Sequence, residues 1–251
     1  MRRRFTPLRR PFDPPIRGLV REFSRKSRTR LQQTLCAMPV SHVGRGVLFV
    51  TLTYPSEYAG DWRLWKRQLN AWLDRLRRRL PKAAAVWKLE PQKRGAPHFH
   101  LLIVGVPFLA KEWLSASWYQ VVGSRDPKHL VAGTQVQLAR SHKGVVAYAS
   151  KYTAKPERLP AEWQEGVGRW WGVHNRPGLG IEWEWGPLSH AGYRRIVRLM
   201  RGLVRSRTRH KPRAPPRSMP YGTWCVMSSN DAARVYAWVT ALDSDPPRCS
   251  T

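Results

Sequence analysis

The amino-acid sequence predicts an α+β domain with a central, mostly antiparallel sheet and helices packed on it, extended at both ends by basic segments. One observation is the order of the hydrophobic patterns between residues 47 and 155, which read strand, helix, strand, strand, helix, strand, helix. The other is the connector 92–96 between two of these strands, which has hairpin length and contains Gly95. Since a hairpin joins antiparallel strands, we expect a mainly antiparallel sheet.

The first strand and the first helix have the clearest signals. Residues 47–54 form a run of β-branched and apolar side chains that stops at a proline, as a buried strand does. Residues 61–80 carry apolar side chains at helical spacing, with Asp61 as the predicted N-cap and Pro81 just after the end. The tryptophans of this helix are interpreted as core rather than as a ladder for stacking bases; they are Trp62, Trp65 and Trp72.

The other elements of the domain are shorter. We expect strands at 84–91, 97–104 and 134–138 and a helix at 110–122. A last helix is predicted from about Gly144 to Lys155, and a proline follows it.

Composition divides the chain into three regions. Residues 1–45 are rich in arginine and proline and are expected to form a basic, poorly ordered arm with a short helix near residues 31–37. Residues 46–186 contain the α+β domain. Residues 187–251 are predicted to contain a basic helix (187–205), a linker (206–220) and a small strand-helix segment (221–242) capped by Ser229 or Asn230.

The charge of the chain indicates a polyanionic partner. The formal net charge is +29 over 251 residues, and a surface this basic repels itself unless a polyanion neutralises it. The basic residues are interleaved with aromatic ones, including 13 tryptophans, which suits phosphate contact combined with base stacking. We therefore favour nucleic acid over two alternatives, an unusual solvated surface and a membrane-binding patch.

Cysteines and hydropathy bear on the compartment. Cys36, Cys225 and Cys249 are scattered and form no CxxC pair, so the sequence supports neither a zinc ribbon nor a disulfide framework. The basic N-terminus is not followed by the apolar stretch of a signal peptide, and no run approaches a membrane span. We expect a protein of the bacterial cytoplasm.

Two histidines and a glutamate are the candidate metal ligands. His98 and His100 are two residues apart on a predicted strand, so both point to one face while Phe99 points into the core. Glu90 ends the preceding strand, and pairing across the 92–96 turn would bring it close to them. Two imidazoles and a carboxylate can chelate a divalent cation and leave positions open for phosphate and water. The alternative is that Glu90 pairs with a neighbouring surface cation such as Lys88.

Two tyrosines and two lysines are the candidate catalytic residues. On a helix with ~100° per residue, Tyr148, Tyr152, Lys151 and Lys155 share roughly one quarter of the surface. A phenol with a pKa of about 10 is a weak nucleophile toward phosphate without help. Metal and lysine charges could supply that help. Taken alone, this pattern would be a solvated helix face.

Together these motifs resemble those of a known family. His98-Phe99-His100 resembles the HUH motif of the HUH endonuclease superfamily, and Tyr148-x-x-x-Tyr152 with Lys151 resembles the two-tyrosine motif of rolling-circle replication initiators of the phage gene A type. The strand Phe49–Tyr54 is similar to the first conserved strand of that family. The resemblance implies a ferredoxin-like HUH fold, Mg²⁺ or Mn²⁺, origin-specific nicking and a 5′-phosphotyrosine intermediate on which both tyrosines alternate.

The same resemblance sets the expected partners. Residues 46–186 would be the nicking-joining domain, acting on single-stranded or origin DNA, with neither a membrane nor a small molecule as partner. No GxxxxGK[ST] motif occurs in the chain, so we expect a host helicase and a host polymerase to assist. Four basic residues near the two motifs are expected to contact DNA: Lys93, Arg94, Arg140 and Lys143.

Other functions remain open from the sequence. A transposase or relaxase of the same superfamily would use the same chemistry. A non-catalytic, basic nucleic-acid-binding protein would need aromatic side chains on exposed sheet positions, whereas the predicted sheet carries histidine, glutamate and lysine. A packaging protein would condense DNA by charge alone.

Overall fold

The chain divides into two units, residues 1–182 and residues 183–251. The sequence-predicted boundary between 186 and 187 lies a few residues further on. None of the described helices is long and apolar enough to cross a membrane. The computed structural model describes residues 22–39, 41–44, 46–106, 109–139, 144, 160–163, 166–182, 189–207 and 229–241.

A five-stranded sheet organises the first unit. Every neighbouring pair of strands is antiparallel, and the strand order is β4-β1-β3-β2-β5. The prediction of an α+β fold with a mainly antiparallel sheet is confirmed. The strands are β1 (Val47–Thr53), β2 (Ala84–Pro91), β3 (Pro97–Val104), β4 (Thr134–Leu138) and β5 (Trp171–His174).

The connections between the strands give the ferredoxin-like order. Between β1 and β2 lies a long helix, and between β3 and β4 lie two shorter ones. Strand β3 returns by the hairpin and inserts between β1 and β2, which is the β-α-β-β-α-β arrangement, and β5 is added beside β2. The helices of this unit are α1 (Arg25–Cys36), α2 (Ser41–Gly44), α3 (Trp62–Arg79), α4 (Lys111–Val122) and α5 (Pro127–Ala132).

Helices α3 and α4 cover one face of the sheet. The indole of Trp72 on α3 is fully buried, and its Nε1 donates to Oγ of Ser117 on α4 over 2.9 Å. Trp118 is fully buried as well, and its Nε1 donates to the carbonyl of Thr53 at the end of β1 over 2.7 Å. Large indoles bury well only when their N–H finds a partner. With Trp65 also buried, the interpretation of these α3 tryptophans as core is confirmed.

Helix α1 packs on the opposite face, which corrects the prediction for residues 25–36. Leu31 and Leu35, one helical turn apart, are 1 % and 4 % exposed and belong to the same core as the strands. Ser24 caps the helix by accepting from the amide of Ser27 over 3.3 Å. A basic, poorly ordered arm is therefore the wrong description of this segment, because its few apolar residues all lie on one stripe.

Helix α5 and strand β5 of the first unit were not predicted. Helix α5 begins with Asp126 as N-cap, which accepts from the amide of Lys128 over 2.9 Å, and with Pro127 in its first turn. Strand β5 places Gly172 against Trp87, where a Cβ would lie 2.7 Å from the indole. The close packing at this edge therefore requires a glycine. Apart from Gly144, the helix predicted to end at Lys155 lies outside the described residues.

The second unit contains two helices, α6 (His190–Arg207) and α7 (Ser229–Thr240). Arg195 on α6 donates to the carbonyl of Trp238 over 3.0 Å, and its guanidinium lies 5.0 Å from the centre of that indole. The predicted basic helix and the predicted helix start at Ser229 agree with these bounds. The linker and the strand expected before α7 lie outside the described residues.

Candidate active site

The three predicted metal ligands lie near the tip of the β2–β3 hairpin. Glu90 is paired with His98, and His100 lies two residues further along β3. Paired residues, and residues two apart on a strand, share a face of the sheet. The tip is closed by the amide of Gln92, which donates to the carbonyl of Ala96 over 2.8 Å. The structure thus brings the three side chains together.

Phe99 lies between the two histidines and anchors their strand. Its side chain is fully buried on the helix-covered face, with its ring centre 6.1 Å from that of Trp87 and 6.5 Å from that of Trp118. On the other face the ring centres of His98 and His100 are 4.4 Å apart. Packing of one side chain into the core therefore fixes the two imidazoles side by side.

Glu90 is held by two partners at once. Its Oε2 accepts from Nε2 of His100 over 3.2 Å, and its Oε1 forms an ion pair with Nζ of Lys88, whose side chain is only 5 % exposed. Burial raises the pKa of Glu90, but the hydrogen bond from His100 and the charge of Lys88 outweigh it and lower the pKa to about 2. Glu90 is therefore a carboxylate at physiological pH, and the alternative pairing with Lys88 is present in the structure.

His100 is oriented from both of its nitrogens. A carboxylate only accepts hydrogen bonds, so Nε2 of His100 carries the hydrogen that Glu90 receives. Its Nδ1 lies 3.3 Å from Oγ1 of Thr51, which is paired with His100 across β1 and β3. The neutral ring can accept there from the hydroxyl. Thr51 and Glu90 together thus fix the ring plane.

His98 is the less satisfied of the two histidines. Its Nε2 is buried and finds no hydrogen-bond partner within the described part of the chain. Burial, together with the positive potential of His100, lowers the pKa of His98 to about 4 against an ordinary value of 6.5. The ring is therefore neutral near pH 7, which is the protonation state of a metal ligand.

These contacts test how well a divalent cation fits. A neutral imidazole with a buried, unpartnered Nε2, a second imidazole and a carboxylate have suitable donor chemistry. Across the described ranges, however, no three His, Cys, Asp or Glu side chains form a ready ligand cluster. Glu90 and His100 are bonded to each other, so either one must exchange that bond to become a ligand. His98 is thus the side chain best prepared to bind.

The depressed pKa of His98 gives a first prediction. In chelator-treated protein we expect its ring signals to titrate with a midpoint near 4, followed by NMR of the Cε1–Hε1 group against pH. Since the unfolded chain binds this proton near pH 6.5, His98 contributes stability above that pH, and the contribution is lost as pH falls toward 4. A midpoint close to 6.5 would contradict the buried, neutral ring.

Thr51 gives a second prediction. Thr51→Val keeps the shape and removes the hydroxyl beside Nδ1 of His100, so we expect roughly a 10–100-fold loss of Mn²⁺ affinity, the usual effect of losing an outer partner of a ligating histidine. Isothermal titration calorimetry measures it. Thr51→Ser should restore binding, and Thr53→Val, on the same strand opposite His98, is the matched control. Unchanged Mn²⁺ affinity in Thr51→Val would remove the positioning role.

Of the predicted DNA contacts, Lys93 and Arg94 lie in the described hairpin turn, and both are exposed. The guanidinium of Arg94 donates to the carbonyls of Tyr54, Pro55 and Ser56 over 2.6 to 3.1 Å. Arg94 therefore ties the segment after β1 to the hairpin. A DNA contact by either residue stays a prediction.

The remaining predicted residues lie outside the described residues. These are the candidate nucleophiles Tyr148 and Tyr152, the lysines Lys151 and Lys155, and the predicted DNA contacts Arg140 and Lys143. Their assigned roles stay predictions.

Sequence reasoning missed Thr51 and gave Lys88 only a surface role. Lys88 is two residues before Glu90 and therefore shares its face, and a lysine in an otherwise apolar strand was the available signal. Thr51 carries no comparable signal, because its contact with His100 arises only from the register of β1 and β3.

A ferredoxin-like sheet with a face of histidine, glutamate and lysine near one hairpin tip defines the class of site. Residues 47–157 match a family model that describes replication-associated proteins of the ORF2 type. A putative replication protein of Xylella fastidiosa (strain 9a5c) is 31% identical over 161 residues, covering 55% of this chain and 53% of that protein. A replication-associated protein of Pseudomonas phage Pf3 is 30% identical over 119 residues, covering 43% of this chain and 42% of the phage protein.

The chain therefore spans about half the length of the curated relatives that it matches. No solved structure matches the chain. The matched segment begins at β1, contains the whole hairpin and extends past both candidate tyrosines. Over this segment the chain is similar to replication-associated proteins.

Proposed function

We propose that this chain initiates rolling-circle replication by nicking and rejoining single-stranded DNA through a tyrosine. The observation that carries the proposal is the Glu90–His98–His100 cluster on one face of the sheet. It lies inside the segment that is similar to replication-associated proteins, one of them from a phage. A non-catalytic binding protein would have no need for a buried, neutral His98 beside an ionised Glu90.

In the proposed reaction the phenolate oxygen of Tyr148 or Tyr152 attacks a backbone phosphorus. The bond from phosphorus to the 3′ oxygen breaks, leaving a free 3′-hydroxyl and a 5′-phosphotyrosine. Lys151 and Lys155 would stabilise the negative charge on the phenolate or on the phosphate. Because the phosphotyrosine keeps the bond energy, attack by a 3′-hydroxyl on it rejoins the strand.

The described residues would hold the phosphate and its counter-charge. His98 and His100 are proposed to bind Mg²⁺ or Mn²⁺, which when bound would polarise the scissile phosphate. Glu90 remains the predicted third ligand, and its bonds to His100 and Lys88 keep it ionised until it exchanges one of them. Lys88 holds its positive charge close to the site and balances that carboxylate.

The proposed partners follow from the charge and from the relatives. Single-stranded origin DNA suits a net charge of +29, and the similar proteins are named for replication. A host helicase and a host polymerase would open the duplex and extend the free 3′-hydroxyl. These events would take place in the cytoplasm of a bacterial host.

The deciding experiment is a search for the covalent intermediate. The full chain is incubated with single-stranded DNA from its own replicon and Mn²⁺, and denaturing electrophoresis followed by mass spectrometry locates any adduct. We expect DNA attached to one of the two tyrosines and a free 3′-hydroxyl on the released fragment. Strand cleavage without any protein–DNA adduct would overturn the tyrosine mechanism.

A further inference from the structure

A cavity lies between the N-terminal half of α1 and strand β5. Its volume is about 640 Å³, and we refer to it as the α1–β5 groove. Lys26 and Arg30 come from α1, while Arg169 and Arg176 flank β5 on the other side. The indole of Trp171 also lines the groove. Two separate parts of the chain therefore contribute cations to one concavity.

The charge of the groove is strongly one-sided. All four cationic side chains are exposed, and no carboxylate is among the lining residues. Within the described part of the chain, none of the four forms a salt bridge. Four like charges around one cavity repel each other, and a bound polyanion relieves that repulsion. The groove is therefore suited to an anionic ligand with several charges.

The polar groups between the cations suit phosphate oxygens. Ser24 and Ser27 line the groove with their hydroxyls, and Ser27 Oγ accepts from Nε1 of Trp171 over 3.0 Å. That bond ties the edge strand to the helix and leaves the hydroxyl hydrogen of Ser27 available to a ligand. Cations and hydroxyl donors contact the sugar-phosphate backbone rather than base edges, so binding at such a surface is independent of base sequence.

The register of the sheet places this groove beside the candidate active site. Trp171 is paired with Lys88, and Lys88 is paired with His100, so the three side chains share one face of the sheet. Two strand spacings separate Trp171 from His100, which is roughly 10 Å. The aromatic ring of Phe23, just before α1, lies 5.2 Å from Nζ of Lys88 between these regions of the unit. One polymer strand can reach both places.

We infer that the α1–β5 groove binds the phosphodiester backbone of the single-stranded DNA on which the candidate active site acts. The inference rests on the proposed function and adds a place where the strand is held beside the site. A cavity of this size takes a small number of linked nucleotides. A flexible single strand can bend into it, whereas the rigid cylinder of a duplex cannot follow a concavity between one helix and one strand.

The test replaces the four groove cations by glutamine in one chain. A control chain loses four exposed cations elsewhere on the same unit. Fluorescence anisotropy measures binding of a short, labelled, mixed-sequence oligodeoxynucleotide between 50 and 200 mM salt, the range over which phosphate contacts are strongly salt-dependent. The groove variant is Lys26→Gln, Arg30→Gln, Arg169→Gln and Arg176→Gln; the control is Arg78→Gln, Lys82→Gln, Lys111→Gln and Lys128→Gln.

We expect the groove variant to bind at least about tenfold more weakly than the control. Its plot of log affinity against log salt should be shallower by up to about 2.8, since each single-strand phosphate contact contributes roughly 0.7. The pairs Lys26→Gln with Arg30→Gln and Arg169→Gln with Arg176→Gln should each give about half of that change. These pairs also decide the matter if the fourfold variant fails to fold, which thermal unfolding detects.

Two results would overturn the inference. One is equal affinity and equal salt dependence in the groove and control variants. The other is a loss for blunt-ended duplex as large as the loss for single strand. Binding is measured here without cleavage, so the absence of a covalent adduct in the wild-type chain would reject the proposed function without deciding the role of the groove.

Discussion

A chain carrying both Tyr148→Phe and Tyr152→Phe is expected to form no covalent adduct with DNA, while either single variant still cleaves the first strand. Phenylalanine keeps the ring and removes the oxygen that would attack phosphorus, so the double variant has no nucleophile left. Denaturing electrophoresis with a labelled single strand from the replicon measures the adduct, and the double variant should fall to background.

The single variants separate alternating tyrosines from one dedicated tyrosine. If both phenols take turns, each single variant completes one cleavage and then fails at repeated strand transfer, which a circularisation assay detects. If only one tyrosine is the nucleophile, one single variant is already inactive. Adducts that persist in the double variant would reject both residues. Tyr193→Phe, an exposed tyrosine of the second unit, is the matched control.

A chain carrying both His98→Ala and His100→Ala is expected to lose metal-dependent cleavage while it still binds DNA. Removal of both imidazoles leaves Glu90 as the only predicted ligand, and metal-assisted stabilisation of a phosphate is worth several kcal/mol, so we expect roughly a thousandfold slower adduct formation. Initial rates over a Mn²⁺ titration measure it, with anisotropy as the separate measure of DNA binding.

The matched control for that variant is His190→Ala, since His190 is an exposed histidine in the second unit. Thermal unfolding checks that the sheet survives, because the two histidines are partly to fully buried. Cleavage at the wild-type rate without both histidines would reject this face of the sheet as the metal site. A variant that also stops binding DNA would instead point to damage of the fold.

Local patterns predicted the parts of the fold that local patterns determine. The strands β1, β2 and β3 and the helix α3 were predicted within one or two residues, because their apolar side chains repeat with the period of the element that they form. The hairpin was predicted from its short, glycine-containing connector, and with it the meeting of Glu90 with His98.

The parts that were missed depend on contacts distant in sequence. Strand β5 has only four residues, and it is held in place because it pairs with β2 and because Trp171 donates to the hydroxyl of Ser27 on α1. Helix α1 looked too basic for a core element, since most of its surface is charged and only its leucine stripe faces the sheet. The α1–β5 groove depends on both elements and therefore escaped sequence reasoning too.

The hairpin also determines where this domain can tolerate a change of length. His98, His100 and Glu90 all lie on its two strands, and Phe99 holds the alternate face. One residue inserted within either strand would turn every later side chain over and put the imidazoles in the core. One residue added at the tip, beside Gly95, would leave the ladder unchanged. In relatives of this chain, insertions and deletions should therefore fall at the tip and spare the two strands.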